Sequence, residues 1–93
     1  MGKYFVEFDP KARKDLQAHY KSGNKSSIKK IKKILLELTE NPFIGEGQPE
    51  ELKYEYVGYW SRRINLKDRL IYNVNEDVVT VYVVSAMGNY SDK

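Results

Sequence analysis

The sequence contains no cysteine and a single histidine, His19. Without cysteine the chain has no disulfide framework, and every metal site built from thiolates is excluded. One histidine is also too few for a histidine-rich metal centre. His19 falls on the apolar stripe of a predicted helix, where it is interpreted as a packing residue.

Long apolar runs are missing as well. No stretch approaches the roughly 20 apolar residues that span a bilayer, and the first ten residues, MGKYFVEFDP, lack the pattern of a secretory signal. We therefore expect a cytoplasmic protein without a membrane segment. Its 93 residues suffice for one domain, 1–93, with one core.

Charge is distributed unevenly along the chain. Residues 1–44 contain ten Lys or Arg and five Asp or Glu, whereas residues 45–93 contain six and eight. A basic half is typical of proteins that bind polyanions such as nucleic acid. A well-solvated helix surface accounts for the same lysines.

The first half of the sequence predicts one strand and two helices. Residues 3–8 alternate between apolar and polar faces, as a strand does. Asp9 and Pro10 are typical of a helix start, and KSGN at 21–24 ends that helix. A second helix is indicated by apolar residues at helical spacing, namely Ile28, Ile31, Ile34, Leu35 and Leu38.

The second half predicts a loop followed by strands. NPFIGEGQPE at 41–50 is rich in Gly and Pro, and the apolar segments after it are separated by short turns that force antiparallel pairing. The predicted fold is α+β. Two N-terminal amphipathic helices pack on one face of a four- to five-stranded antiparallel twisted sheet, in the order strand, helix, helix, then three or four strands.

Several polar residues lie where strands begin or end and can converge at one end of the sheet. A carboxylate, guanidinium groups and a phenol suit phosphate chemistry, because a carboxylate accepts a hydroxyl proton and arginine binds phosphate. Glu50 also has a structural interpretation as a turn carboxylate, and the Arg62–Arg63 pair has one as an exposed sheet face; spacing alone leaves these alternatives open. The residues are Glu50, Arg62, Arg63, Arg69, Asn89 and Tyr90.

The segment NPFIGEGQPEELKYEYVGYWSRRINLKDRLIYNV, residues 41–74, resembles the Txe/YoeB branch of the RelE/ParE toxin superfamily. The matching positions include Pro49-Glu50, the Trp60-Ser61-Arg62-Arg63 run and Arg69. The resemblance implies a ribosome-dependent endoribonuclease, the toxin of a type II toxin–antitoxin system. Such toxins cleave mRNA in the ribosomal A site by attack of the 2′-hydroxyl, and need no metal or cofactor.

The resemblance also assigns roles to individual residues. Glu50 corresponds to the general base, Arg69 to the arginine that stabilises the phosphorane, and Tyr90 to the tyrosine beside the scissile phosphate. The RNA- and phosphate-binding positions implied by the resemblance are Lys53, Arg62 and Arg63.

Asn89 departs from the family pattern, which has the general-acid histidine at this position. An amide forms hydrogen bonds but cannot deliver a proton near neutral pH, so we expect reduced activity. Asn89 is either an introduced substitution that lets a cell tolerate the toxin or the natural residue of a weakly active member. The sequence leaves both explanations open.

The resemblance implies a cognate antitoxin of the YefM/Phd-like type, whose acidic tail covers the basic cleft, together with the ribosome and mRNA as partners. It also allows a homodimer. Two alternatives remain: a non-enzymatic relative that poisons gyrase or only binds an antitoxin, and a small RNA-binding module without catalysis. A translation assay compared with a supercoiling assay distinguishes the endoribonuclease from a gyrase-poisoning relative. RNA binding that survives every catalytic substitution indicates a binding module.

Overall fold

The computed structural model describes residues 3–53 and 56–88. The elements follow the predicted order of one strand, two helices and four strands. They are β1 (Phe5–Phe8), α1 (Pro10–Ser22), α2 (Lys25–Glu40), β2 (Glu50–Glu51), β3 (Tyr59–Arg63), β4 (Arg69–Asn75) and β5 (Thr80–Ser85).

Both helices start and end where the sequence provides the capping residues. The Asp9 carboxylate accepts a hydrogen bond from the Lys11 amide at 3.1 Å, and Pro10 is the first residue of α1. Gly23 has a φ of 74°, a left-handed conformation that glycine adopts without strain and that ends a helix. The Asn24 side chain then caps α2 by accepting from the Ser27 amide at 3.1 Å.

The five strands form one sheet in the order β1-β5-β4-β3-β2. The pairs β2–β3, β3–β4 and β4–β5 are antiparallel, whereas β1 pairs with β5 in parallel. The expectation of a wholly antiparallel sheet is therefore wrong for this one pair. Short turns fix the direction of the consecutive strands only, and β1 is separated from them by both helices.

The core lies between the two helices and one face of the sheet. Ile31 and Leu38 of α2 are fully buried and cluster with Tyr72 of β4 and with Val81 and Val83 of β5. Since side chains alternate along a strand, Val81 and Val83 share one face of β5, and Tyr72 contacts the same cluster. The helices cover this face, as predicted, and leave the opposite face available for the candidate site.

None of the helices in the described part of the chain has the length and apolar character that a bilayer crossing requires.

Replacing Ile31 with alanine tests the assigned face of α2. Ile31 is 0% exposed, so Ile31→Ala should lower the free energy of unfolding by about 2–5 kcal/mol. Urea denaturation followed by circular dichroism measures the change. Lys32→Ala, at the exposed neighbouring position, is the control and should change stability by less than about 0.5 kcal/mol. Equal effects of the two substitutions would show that the wrong face of α2 has been placed in the core.

Candidate active site

The loop between α2 and β2 is built around the guanidinium group of Arg62. Arg62 is 0% exposed. Its Nη1 donates to Oε1 of Glu37 at 2.8 Å, and its Nη2 donates to the carbonyl oxygen of Ile44, also at 2.8 Å. The carbonyl oxygens of Glu46 and Asn41 accept further, longer hydrogen bonds. A buried cation needs such partners, so the loop backbone is folded around it.

Glu37 and Tyr72 extend this hydrogen-bond network. Oε1 of Glu37 also accepts from the Glu46 amide at 2.7 Å. The Tyr72 hydroxyl accepts from Nε of Arg62 at 3.1 Å and donates to the carbonyl oxygen of Pro42 at 2.6 Å. Burial raises the pKa of Tyr72 and the Arg62 charge limits the rise, so near neutral pH the phenol keeps the proton that it donates.

Two glycines let the loop approach Arg62 and β3 closely. A Cβ atom on Gly45 would clash with the Glu37 carboxylate and lie 2.9 Å from Nη1 of Arg62. On Gly47 it would lie 2.7 Å from the carbonyl oxygen of Arg63, whose amide donates to the Gly47 carbonyl at 2.7 Å. Both glycines also have positive φ angles, 129° and 86°, which disfavour any other residue.

The prediction that Arg62 binds RNA is therefore wrong. Its guanidinium group is bonded to protein groups, among them the Glu37 carboxylate and the Ile44 carbonyl oxygen, and no part of its side chain is exposed to a ligand. The alternation of Arg62 and Arg63 between opposite faces of β3 is confirmed, because Arg63 is exposed.

The structure brings Glu50 and Arg69 together. Glu50 pairs with Ser61 on β3 and Ser61 pairs with Ile71 on β4, which places the carboxylate near the start of β4. Oε1 of Glu50 lies 3.7 Å from Nη1 of Arg69, and Oγ of Ser61 lies 3.5 Å from the same nitrogen. The Glu50 side chain is 69% exposed. Exposed ion pairs are worth only about 0–1 kcal/mol, so an entering phosphate can compete for Arg69.

Positive side chains flank this pair. Arg63 is opposite Arg69 in the β3–β4 register and is exposed on the face away from the helices. Lys53 is exposed two residues after β2 ends. The arrangement combines a solvent-accessible carboxylate with two guanidinium groups, which suits a phosphodiester beside a hydroxyl that can lose its proton.

Asn89 and Tyr90 lie outside the described residues. The described chain reaches Gly88, whose carbonyl oxygen accepts from the Arg69 amide at 3.1 Å. The residue that precedes Asn89 therefore lies beside Arg69.

A second hollow lies at the other end of β3 and β4, lined by residues that include Tyr59, Asn73, Glu76 and Asp77. Among the described residues that line it there is no Lys or Arg. Two carboxylates without a cation disfavour an RNA backbone, so this hollow is not the candidate site.

Sequence reasoning missed Glu37 and Ser61. Glu37 lies beside the apolar stripe of α2 and looks like an ordinary surface residue, and its partner is 25 residues away. Ser61 lies between an aromatic residue and two arginines, where alternation alone places it on the face of Arg63.

Residues 8–89 match the model of a family described as YoeB-like toxins of bacterial type II toxin–antitoxin systems. A relative named Toxin YoeB, from Mycobacterium bovis, is 38% identical over 76 residues, which cover 82% of this chain and 88% of that protein.

Solved structures with the same fold include a YoeB dimer from Staphylococcus aureus, with a TM-score of 0.79 and 32% identity over 95% of this chain and 99% of that one. The YoeB-YefM complex from the same organism gives a TM-score of 0.76 and 34% identity, covering 94% of this chain and 98% of that one.

Removing the buried guanidinium tests its role in the loop. Arg62→Met should lower the free energy of unfolding by about 3–5 kcal/mol, because the Glu37 carboxylate loses its charged partner. Arg62→Met combined with Glu37→Met should cost less than Arg62→Met alone. The matched control, Arg63→Met, changes an exposed side chain and should stay within about 0.5 kcal/mol in the same urea titration. If Arg62→Met costs no more than this control, the network does not stabilise the fold.

The buried phenol predicts a loss of stability in alkali. Because the pKa of Tyr72 is raised in the folded chain, the stability that the protonated phenol contributes is fully present below the pKa of an exposed tyrosine, about 10. It is lost as the pH rises through the folded pKa. The difference in unfolding free energy between the parent chain and Tyr72→Phe should be constant below about pH 9 and then shrink by up to about 1.4 kcal/mol per pH unit. A difference that stays constant to about pH 11.5 would contradict the assignment.

Proposed function

Since the chain belongs to the family of YoeB-like toxins of bacterial type II toxin–antitoxin systems, we propose that it is a metal-independent endoribonuclease that cuts mRNA in the ribosomal A site. The observation that carries the proposal is the Glu50 carboxylate 3.7 Å from the Arg69 guanidinium, on a sheet face where Arg63 is also exposed. Toxins of this kind act on ribosomes, so the proposed place of action is the cytoplasm.

The reaction uses a nucleophile that RNA carries itself. Glu50 removes the proton from a ribose 2′-hydroxyl, and the oxygen attacks the adjacent phosphorus. The bond to the 5′-oxygen of the next nucleotide breaks, which leaves a 2′,3′-cyclic phosphate and a 5′-hydroxyl end. Arg69 turns from Glu50 to the phosphate and stabilises the additional negative charge of the transition state. Lys53 and Arg63 hold the neighbouring phosphates.

The two residues that follow Gly88 complete the site in this proposal. Tyr90 takes the role of the family's tyrosine that acts on the scissile phosphate. Asn89 stands at the sequence position of the family's general acid but cannot protonate the leaving 5′-oxygen, so water supplies that proton and the reaction is slow. General acid catalysis typically contributes about 10²–10⁴ in rate.

An antitoxin is the proposed protein partner. The Staphylococcus aureus YoeB was solved in complex with YefM, and by analogy an acidic segment of a YefM-like antitoxin covers Arg63 and Arg69 here and excludes RNA. The YoeB dimer from the same organism supports a homodimer as the form that meets the ribosome.

Cleavage of mRNA on programmed ribosomes tests the proposal. The parent chain should cut slowly, and Asn89→His should cut about 10²–10⁴-fold faster. Adding Glu50→Gln to Asn89→His should remove the gain, because the 2′-hydroxyl then loses its base. Glu51→Gln, which removes the neighbouring exposed carboxylate, is the matched control and should retain the activity of Asn89→His. Analysis of the products should show cyclic phosphate ends.

Two results would contradict the proposal. Full activity in the parent chain would show that Asn89 is no handicap. Absence of cleavage by Asn89→His, with ribosome binding intact, would indicate a relative without nuclease activity, and a supercoiling assay would then test gyrase as the target.

A further inference from the structure

The chain leaves the sheet at Ser85. Both backbone polar groups of the next residue, Ala86, form hydrogen bonds with side chains of α1. The Ala86 amide donates to Oδ2 of Asp15 at 3.0 Å. The Ala86 carbonyl oxygen lies 2.7 Å from Nε2 of His19, and because a carbonyl can only accept, Nε2 carries the proton. Asp15 and His19 are one helical turn apart and therefore lie on the same side of α1.

Gly88 is held in the same manner, next to Arg69. Its amide donates to Oδ1 of Asp68 at 2.9 Å, and its carbonyl oxygen accepts from the Arg69 amide at 3.1 Å. Its φ of 82° lies in the left-handed region, so the chain bends here. Two consecutive residues, Asp68 and Arg69, thus fix the orientation of the peptide groups on both sides of Gly88.

Asp68 is itself immobilised. It is 5% exposed, and its Oδ2 accepts from Nδ2 of Asn65 at 3.1 Å. The same nitrogen donates to Oγ of Ser27 on α2 at 2.9 Å. Burial alone would raise the pKa of Asp68, but the hydrogen bonds from Gly88 and Asn65 and the charges of His19 and Lys67 bring the pKa below its ordinary value. Asp68 is therefore ionised near neutral pH, which makes it a strong acceptor for the Gly88 amide.

This set of contacts exceeds what the end of a strand needs. Exposed strand ends are commonly solvated by water. Here Ala86 and Gly88, two of the three residues after β5, are instead bonded to side chains. These are the buried Asp68 carboxylate and His19 imidazole and the half-buried Asp15 carboxylate. Burying such groups costs free energy unless their partners are fixed. Gly88, the last described residue, lies beside Arg69 and precedes Asn89 in the sequence.

We propose that Asp68 is a positioning residue for RNA cleavage, which fixes Gly88, the residue that precedes Asn89 and Tyr90 in the sequence, beside Arg69. Asp15 and His19 hold the preceding peptide and set the direction from which the chain approaches. The assignment rests on the proposed function, because it concerns the geometry of that reaction. Asp68 itself touches no substrate.

Asp68→Asn in the Asn89→His chain tests the assignment. The asparagine side chain has one acceptor oxygen in place of two. It can therefore accept from the backbone amide of Gly88 or from the side-chain Nδ2 of Asn65, but not from both. A displacement of about 1 Å can cost roughly 10²-fold in rate. We expect the single-turnover cleavage rate to fall by about that factor, while the ribosome concentration at half-maximal rate stays unchanged.

Hydrogen exchange provides the readout that a purely structural role would not give. In Asp68→Asn the Gly88 amide should exchange at least about ten-fold faster, whereas amides in β3 and β4 should keep their rates. Asp77→Asn, which alters an exposed carboxylate between β4 and β5, is the matched control and should change neither cleavage nor Gly88 exchange.

A second variant tests the same idea if Asp68→Asn fails to fold. Insertion of one glycine between Gly88 and Asn89 leaves the Asp68 contact in place and moves the two following residues by one position. Cleavage should fall by about 10² or more, with unchanged stability and unchanged Gly88 protection.

The outcomes separate the two proposals. Undiminished cleavage in Asp68→Asn or in the insertion variant would overturn the positioning role alone. Absence of cleavage in the Asn89→His chain itself would overturn the proposed function and this assignment together. Uniformly faster exchange throughout the sheet of Asp68→Asn would show a general structural role instead.

Discussion

One buried cation, the guanidinium group of Arg62, needs hydrogen-bond acceptors, and this need determines the path of the loop that leads from α2 to Glu50. The guanidinium of Arg62 is removed from water, and its main partners are the Glu37 carboxylate and the Ile44 carbonyl, each at 2.8 Å. A carboxylate from α2 and backbone oxygens from the following loop are thereby drawn to one point. The loop has no regular secondary structure, yet its path is determined because its carbonyl groups have a fixed target.

The position of Glu50 follows from this arrangement. Phe43 packs edge-on against Trp60 with ring centroids 5.2 Å apart, and Gly47 bonds to the Arg63 amide, so the loop arrives along β3. Glu50 then pairs with Ser61, within reach of Arg69. On the other side of Arg69, Asp68 fixes Gly88. The helices thus support the site from the opposite face of the sheet, α2 through Glu37 and α1 through Asp15 and His19.

Much of this fold could be predicted from local sequence patterns. Asp9-Pro10 fixed the start of α1, and alternation in β3 predicted that Arg62 and Arg63 face opposite sides. Local patterns could not show which of these sides is buried, because an arginine in an alternating strand has the same signature in both environments. The partner that allows Arg62 to be buried, Glu37, is distant in sequence. The parallel pairing of β1 with β5 could not be predicted either, because the two strands are distant in sequence and no short turn joins them.

Amide hydrogen exchange of the unmodified chain tests the central claim that the Arg62 network fixes the loop. The Glu46 amide donates to Glu37 and the Arg63 amide donates to Gly47, both at 2.7 Å. If the network holds, both amides should exchange as slowly as those in the β4–β5 pair, because they open only when the core opens. Exchange of the Glu46 amide at the rate of exposed amides in the turn between β4 and β5 would show that the loop moves independently of Arg62, and would contradict the account.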